Sequence, residues 1–217
     1  MHAVLWDMDG VLVDSEPLWT LAEVELAREL GGEWTDDLKA LVVGTRLDVS
    51  VPTILRFYGA PDGPAQVAEA AGFLLGRMVA LYATEPVLMP GARELLADVR
   101  AAGIPVALVS SSYRVLVDSV LARGVGPFDL TLAGDEVTCS KPHPEPYLTA
   151  AHRLGVDPAG CVVIEDSPSG VAAGEAAGAA VVAVPSVPGV VFDPAPRRLV
   201  AGSLADLSLP DLRALVD

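Results

Sequence analysis

The sequence has little positive charge. It contains 14 lysine and arginine residues against 29 aspartate and glutamate residues, for a net charge of -15 at pH 7. We find no basic run or basic stripe, so the composition argues against nucleic acid as a partner and disfavours anionic membrane surfaces. A small anionic substrate is compatible with this composition, because one nearby cation and a few hydrogen-bond donors can outweigh the overall field at close range.

Cysteine and long apolar runs are also scarce. The two cysteines, Cys139 and Cys161, lack the spacing of a metal-binding pair. We therefore expect them to be reduced, structural residues of a cytoplasmic protein. We find no uncharged apolar stretch of membrane-spanning length. The first residues lead into an apolar strand without a basic segment, so we expect no signal peptide.

The chain does contain enough apolar material for one good core and a smaller satellite domain. Its 217 residues are 52% hydrophobic, which leaves no room for extensive disorder. Short apolar runs alternate with helical patterns, and this alternation predicts an α/β fold with a doubly wound parallel sheet. The predicted strands lie at 3–7, 105–109, 128–133, 161–165 and 179–184, with a last short strand near Leu204.

Residues 15–86 interrupt this alternation. They show no convincing strand pattern, only amphipathic helical patterns such as Leu18 to Leu30 and Gln66 to Tyr82. We predict a helical cap domain of residues 15–86, inserted into a core domain of residues 1–14 and 87–217. Two connections side by side would form a hinge, so the insert is expected to open for substrate and to close against water.

Two carboxylates follow the first predicted strand. Asp7 and Asp9 come directly after the apolar run that ends at Trp6. At the carboxyl end of a parallel strand, one such carboxylate can be a nucleophile and the other a proton donor and acceptor, with a hard cation holding both charges. The simpler interpretation is a turn at Gly10 that ends the strand. The residues further along the chain weigh against it.

Similar polar groups follow two later strand patterns. Ser110 comes directly after one of them, and a second acidic pair, Glu165 and Asp166, comes directly after another. Lys141 lies between these positions and is one of only two lysines in a chain with twelve arginines. A lysine at this place suits a site that needs a compact point charge.

The ordered set of acid pair, hydroxyl, lysine and acid pair resembles the haloacid dehalogenase superfamily, over residues 3 to about 185. The resemblance implies a Rossmann-like core with a small helical cap and a Mg²⁺ cofactor. Asp7 matches the family's nucleophile, and Asp9 matches its general acid and base. The residues implied to bind phosphate are Gly10, Ser110, Ser111 and the catalytic Lys141, and those implied to bind the metal are Asp7, Asp9, Glu165 and Asp166.

The chemistry of phosphoryl transfer is consistent with these residue types. The transferred group gathers negative charge on its equatorial oxygens, so an attacking carboxylate must approach an anion. A magnesium ion and the fixed positive charge of Lys141 would offset this repulsion. Asp9 would protonate the leaving alkoxide and then deprotonate the water that hydrolyses the aspartyl phosphate.

The predicted cap favours a phosphatase over a mutase. The beta-phosphoglucomutases of this family carry a histidine at the hinge and an arginine three positions after a cap glycine, where this chain has Trp19 and Leu47. The hinge segment 14–19 and the cap segment 44–48 instead resemble those of hexose-6-phosphate and 2-deoxyglucose-6-phosphate phosphatases. The resemblance therefore implies hydrolysis of a small phosphomonoester, such as a sugar phosphate. Contacts to the substrate are expected from Glu16, Trp19, Gly44, Thr45 and Arg46.

Other functions stay open on the sequence alone. One is a phosphomutase similar to beta-phosphoglucomutase, and another is a catalytically silent phosphate-binding or phospho-accepting module. Signalling receiver domains also use an aspartate, a hydroxyl, a lysine and an acidic pair, but in a different order and without a cap. Steady release of inorganic phosphate would identify a phosphatase. The sequence does not determine the oligomeric state, and we expect a monomer.

Overall fold

The computed structural model describes residues 1–42, 45–84, 87–187 and 189–216. The chain divides into two compact units, one formed by Met1–Asp14 and Pro86–Asp217 and the other by Ser15–Glu85. Among the described residues, no helix combines the length and the apolar character that crossing a membrane requires.

The first unit is built on a six-stranded sheet in the part of the chain that the structure describes, with the strand order β3-β2-β1-β4-β5-β6. All neighbouring strands pair in parallel. The chain winds outward from the central β1 first in one direction and then in the other, so the predicted doubly wound fold is confirmed. The strands are β1 (Ala3–Trp6), β2 (Val106–Val109), β3 (Leu130–Leu132), β4 (Cys161–Glu165), β5 (Ala180–Ala183) and β6 (Arg198–Val200).

The helices of the described residues divide between the two units. The second unit contains α1 (Glu16–Glu29), α2 (Asp36–Val42), α3 (Leu47–Phe57) and α4 (Pro64–Tyr82). The first unit contains α5 (Ala92–Ala101), α6 (Arg114–Leu121), α7 (Glu145–Leu154), α8 (Pro168–Ala176) and α9 (Leu209–Ala214).

The four central strands are buried along their whole length. Every residue of β1, β2, β4 and β5 is buried, and these strands consist mostly of valine, alanine and leucine. Such continuous apolar strands form when helices cover both faces of a parallel sheet. The carboxyl ends of β2, β1 and β4 therefore lie next to one another at one edge of a rigid sheet.

The last strand is not where the sequence predicted it. Residues Arg198–Val200 form β6 and pair in parallel with β5, whereas Leu204–Asp206 forms a 3-10 turn. The Ala205 N–H donates to the Ser203 hydroxyl at 3.1 Å, which favours this turn. The edge of β5 is already paired with β6, so the segment near Leu204 cannot pair with β5.

The described residues of the second unit form helices joined by turns and loops, with no strand among them. Arg77 on α4 forms an ion pair with Glu25 on α1, with the Arg77 Nε 2.6 Å from Glu25 Oε2. Lys39 on α2 forms an ion pair with Glu16 at 2.8 Å. Leucine side chains on the inward faces, such as Leu26, are buried. The amphipathic patterns of the sequence are therefore used to pack helix against helix.

Candidate active site

The polar residues that follow β1, β2 and β4 meet at one edge of the sheet. The register pairs the last residue of β1, Trp6, with Leu108 of β2 and with Ile164 of β4. The positions after these strands therefore come close together. They hold buried polar side chains in an otherwise apolar core, at Asp7, Ser110, Glu165 and Asp166.

Lys141 reaches into this edge from the loop before α7. Its Nζ lies 2.5 Å from Asp7 Oδ1, 2.6 Å from Glu165 Oε1 and 2.9 Å from the Val109 carbonyl oxygen. Only 4% of the Lys141 side chain is exposed. A buried ammonium is stable only when it is paired, and these three acceptors match its three N–H donors.

The charges of the site shift each other's protonation. Burial lowers the pKa of Lys141, but the carboxylates of Asp7 and Glu165 outweigh this effect and hold it well above its usual range. Burial also raises the pKa of the Asp7 carboxyl well above its usual range, and Lys141 opposes that effect. Lys141 is therefore a permanent cation beside a carboxylate that needs positive charge to stay ionised.

Glu165 is saturated with hydrogen bonds. Its Oε1 accepts from Lys141 Nζ and from the Tyr147 hydroxyl, both at 2.6 Å. Its Oε2 accepts from the N–H of Asp166 at 3.1 Å, and from the N–H and the hydroxyl of Ser167 at 3.3 and 3.1 Å. Five donors use the lone pairs of both oxygens. In this geometry Glu165 orients Lys141, and a direct bond to a metal would have to displace one of these donors.

Asp9 is held by serine hydroxyls of the loop after β2. Asp9 Oδ2 accepts from the Ser112 hydroxyl at 2.7 Å and from the Ser110 hydroxyl at 3.4 Å. The Ser112 N–H donates to the Ser110 hydroxyl at 2.9 Å. The structure thus brings the second carboxylate of the first motif into contact with the predicted phosphate-binding loop.

Ser111 belongs to the same loop. Its carbonyl oxygen packs so closely on Gly134 that a Cβ at that glycine would lie 2.1 Å from it. The Gly134 N–H also donates to the Ser112 carbonyl at 2.8 Å. The close packing of Gly134 and its hydrogen bond therefore support the loop of Ser110, Ser111 and Ser112.

Asp166 completes an acidic cluster that could hold a metal ion. Asp7, Glu165 and Asp166 each present a carboxylate oxygen, and these atoms all lie within 4.8 Å of one another. Burial and the charge of Glu165 raise the pKa of Asp166 to about 7. The pKa values of Asp7 and Asp166 are raised, so a nearby cation would stabilise their ionised forms, and hard oxygen donors suit a divalent cation of the Mg²⁺ or Ca²⁺ type.

Gly10 lies against this cluster. Its φ is +79°, and a Cβ at this position would lie 2.1 Å from Asp166 Oδ2 and 2.5 Å from the Ser186 hydroxyl. Ser186 donates a hydrogen bond to Asp166 Oδ2. Besides supplying a turn, Gly10 therefore leaves the space that Asp166 occupies.

The residues predicted to contact substrate from the cap belong to the second unit. Glu16 pairs with Lys39, and Trp19 is partly buried on α1. The Thr45 hydroxyl donates to the Val42 carbonyl at 2.7 Å. Arg46 Nε lies 3.3 Å from Asp48 Oδ1. Gly44 lies outside the described residues.

Sequence reasoning missed three side chains that support the site, namely Tyr147, Ser167 and Ser186. Tyr147 is fully buried, and Lys141 Nζ lies 4.9 Å from the centroid of its ring. The position of Tyr147, a tyrosine in the first turn of the helix that follows Lys141, could have indicated its role from the sequence. Ser167 follows the acidic pair directly, whereas Ser186 lies twenty residues beyond Asp166 without a local pattern to mark it.

The two cysteines differ from expectation in one respect. Both are free, and Cys161 is buried in β4 as a structural residue would be, but Cys139 is exposed. Cys139 lies in the loop that carries Lys141, so its surroundings are polar rather than part of the core.

Fold and site together define a class of protein. A doubly wound parallel sheet that carries a buried carboxylate, a paired lysine and an acidic cluster at its strand ends is typical of α/β enzymes that transfer groups on small anionic substrates. Comparison with known proteins then identifies the family. Residues 1–178 match the haloacid dehalogenase-like hydrolases, and the chain belongs to this family.

Individual relatives agree with this assignment. The chain is 36% identical over 222 residues to hexitol phosphatase B of Escherichia coli K12, covering 98% of this chain and 93% of that protein. It is 34% identical over 180 residues to a phosphorylated carbohydrates phosphatase of Thermotoga maritima, covering 82% of each. The predicted family and enzyme class, a haloacid dehalogenase-type phosphatase, are therefore confirmed.

A solved structure shows the same fold. A mutant of CbbY from Rhodobacter sphaeroides in complex with xylulose-(1,5)bisphosphate superimposes with a TM-score of 0.85 at 29% identity, covering 98% of this chain and 99% of that one. The matched region therefore includes residues of both units.

Proposed function

We propose that this phosphatase hydrolyses a small sugar phosphate with the help of Mg²⁺, through a phosphorylated Asp7. The observation that carries the proposal is the buried contact of Lys141 with both Asp7 and Glu165 at the carboxyl ends of β1 and β4. The names of the relatives in Escherichia coli and Thermotoga maritima support carbohydrate phosphates as the substrate class. A cytoplasmic location and a monomeric state stay predictions.

The side chains divide the reaction between them. An oxygen of Asp7 forms a bond to phosphorus while the bond from phosphorus to the sugar oxygen breaks, and Asp9 gives its proton to that leaving oxygen. Water then attacks phosphorus, Asp9 takes the proton of the water, and the bond to Asp7 breaks to release inorganic phosphate. Lys141 offsets the negative charge on the transferred group in both steps.

The acidic cluster fits a magnesium ion. Asp7 and Asp166 would be its direct carboxylate ligands, with the Asp9 backbone as a further oxygen donor, while Glu165 contributes mainly through Lys141. When bound, the ion supplies positive charge that keeps the buried carboxylates ionised and reduces the repulsion between nucleophile and phosphate. A role for Thr45 and Arg46 in substrate selection stays a prediction from the sequence.

A substrate screen with one variant tests the proposal. Sugar phosphates, nucleotides and phosphoglycolate are offered with Mg²⁺, and we expect the highest kcat/KM for release of inorganic phosphate from a sugar phosphate. Asp7→Asn should lower turnover at least about a thousandfold with an unchanged circular dichroism spectrum, because the amide is a poor nucleophile. The control Asp118→Asn alters an exposed aspartate and should keep activity. Wild-type turnover in Asp7→Asn would refute the assignment of the site.

Metal removal tests the cofactor separately. We expect activity to disappear with a chelator and to return on addition of Mg²⁺, because the carboxylates lose the charge that keeps them ionised. Ca²⁺ prefers more ligands and looser geometry than Mg²⁺, so it should inhibit. Equal activity before and after exhaustive chelation would contradict a metal requirement.

A further inference from the structure

A second group of side chains that could hold a metal ion lies on the segment that carries Lys141, among the described residues and outside the acidic cluster. Cys139, His143 and Glu145 each present one ligand atom, and these atoms all lie within 4.8 Å of one another. The whole chain has two cysteines and three histidines. One cysteine, one histidine and one glutamate lie together within seven residues of the chain, and the proposed catalytic mechanism uses none of these three side chains.

Backbone hydrogen bonds bring these residues together. Glu145 Oε1 accepts from the Thr138 N–H at 2.7 Å, and Oε2 accepts from the Cys139 N–H at 2.8 Å. Between these positions the His143 N–H donates to the Ser140 carbonyl at 2.9 Å and closes a turn. The loop is therefore folded back on itself by contacts that need no metal, which lowers the entropic cost of binding an ion.

Each of the three side chains has capacity for a cation. Each oxygen of Glu145 has two lone pairs, of which one amide N–H uses one. These amide bonds lower the pKa of Glu145, so it is a carboxylate. His143 Nδ1 accepts a hydrogen bond from the Glu145 N–H at 3.2 Å. This N–H lies in the first turn of α7, where backbone N–H groups have no acceptor within the helix. Water can therefore take the place of His143 as its acceptor and leave the imidazole able to bind a metal ion. Cys139 is an exposed thiol outside any disulfide, and a metal ion that binds its sulfur would displace its proton.

We propose that Cys139, His143 and Glu145 bind a transition-metal ion of the Zn²⁺ type. One sulfur, one nitrogen and one oxygen donor suit Zn²⁺, whereas Mg²⁺ requires oxygen ligands in octahedral geometry. With metal–ligand bonds of about 2.0–2.3 Å, tetrahedral ligands lie about 3.5 Å apart. The ligand atoms lie within 4.8 Å of one another, so they need to approach by at most about 1.3 Å. The exposed side chains of Cys139 and His143 can do this by rotation, while Glu145 stays in place. The fourth position is open to water or to another small ligand.

The site is coupled to the active site through the chain itself. Lys141 lies between Cys139 and His143, and its Nζ contacts Asp7 at 2.5 Å. A bound ion would link Cys139 to His143, which flank Lys141 in the turn that positions its ammonium group. The proposal does not rest on the proposed function, and its test reads binding rather than turnover.

Cobalt is the probe for this site. Co²⁺ occupies the same kind of site as Zn²⁺, and a cobalt–thiolate bond absorbs strongly in the near ultraviolet, unlike cobalt bound to oxygen and nitrogen alone. The full chain is titrated with Co²⁺ in excess Mg²⁺, which competes for the acidic cluster. We expect the thiolate band to saturate at about one ion per chain and to disappear when Zn²⁺ is added.

Four variants make the test specific. Cys139→Ser should abolish the band, and His143→Ala should weaken Co²⁺ binding at least about tenfold. The matched controls Cys161→Ala and His152→Ala remove the same residue types elsewhere and should bind like the wild type. Cys139, His143 and His152 are exposed, so these substitutions leave the core intact. The proposal is wrong if saturating Co²⁺ produces no thiolate band, if the band survives Cys139→Ser, or if His152→Ala weakens binding as much as His143→Ala.

Discussion

Tyr147 links two charged residues of the site. Its hydroxyl donates to Glu165 Oε1 at 2.6 Å, and its ring lies 4.9 Å from Lys141 Nζ. Because Glu165 is fully buried, each of its hydrogen bonds replaces a contact with water that it has lost. Tyr147 therefore positions Glu165, and through it the ammonium that contacts Asp7.

Removing only the Tyr147 hydroxyl tests this positioning role. Tyr147→Phe keeps the ring beside Lys141 but deprives Glu165 of one donor. We expect unfolding free energy to fall by about 1.5–3 kcal/mol, as for a hydrogen bond to a charged group. We also expect kcat to fall about tenfold, equivalent to about 1.4 kcal/mol, with KM nearly unchanged. Steady-state kinetics and denaturant unfolding measure the two effects.

Tyr58 offers a matched control. Its hydroxyl donates to the Glu33 carbonyl at 2.6 Å in the helical unit. Tyr58→Phe should lose some stability without a change in kcat. An equal loss of kcat in both variants would mean that Tyr147 acts only through stability.

The turn after β1 and the end of α1 both use a glycine with positive φ, for different reasons. Gly10 has a φ of +79° and is crowded by Asp166 and Ser186, whereas Gly31 has a φ of +77° and would leave a Cβ in open space, with no atom within 4 Å. Backbone conformation alone requires glycine at Gly31. At Gly10 the space of the acidic cluster requires it as well.

Alanine substitutions separate the two requirements. Both Gly10→Ala and Gly31→Ala should lose about 1–2 kcal/mol of stability from the left-handed conformation. Only Gly10→Ala displaces Asp166, so we expect only this variant to need at least about tenfold more Mg²⁺ for half-maximal activity. Thermal unfolding and Mg²⁺ titrations of the phosphatase rate measure the two effects. Equal Mg²⁺ requirements in both variants would remove Gly10 from the metal site.

Strand β6 shows where local patterns are insufficient. Its three residues are only partly buried and carry an arginine. Arg198 forms an ion pair with Glu175 on α8, and the segment pairs with the open edge of β5. A strand this short forms because a partner strand is available for pairing, and the β propensity of its own residues contributes less. Sequence patterns therefore predicted the four buried strands well and misplaced this one.

The whole enzyme must either release phosphate to water or return it to the sugar. A mutase has to retain a bisphosphate through a reorientation and to shield the aspartyl phosphate from hydrolysis. Trp19 and Leu47, at the positions where mutases of this family carry a histidine and an arginine, cannot supply cationic contacts to a second phosphate. We therefore expect a phosphatase rather than a mutase.

A product assay decides between these outcomes. The enzyme is supplied with beta-glucose 1-phosphate and a trace of glucose 1,6-bisphosphate, and both glucose 6-phosphate and inorganic phosphate are followed. We expect phosphate to accumulate and glucose 6-phosphate to stay at its background level, and Asp7→Asn should form neither product. Glucose 6-phosphate appearing much faster than phosphate would overturn the expectation.

The sequence by itself determined the fold class and the family of this protein. The alternation of apolar strands and helices is a local pattern that can be read from neighbouring residues. The order of acid pair, hydroxyl, lysine and acid pair can also be read directly from the sequence, because it does not depend on how the chain folds. The tertiary structure decided how each polar group is used. Glu165 is committed to Lys141, Asp166 packs on Gly10, and Cys139 faces Glu145. Hydrogen-bond capacity and space at a buried site depend on neighbours distant in sequence, and only folding brings those neighbours together.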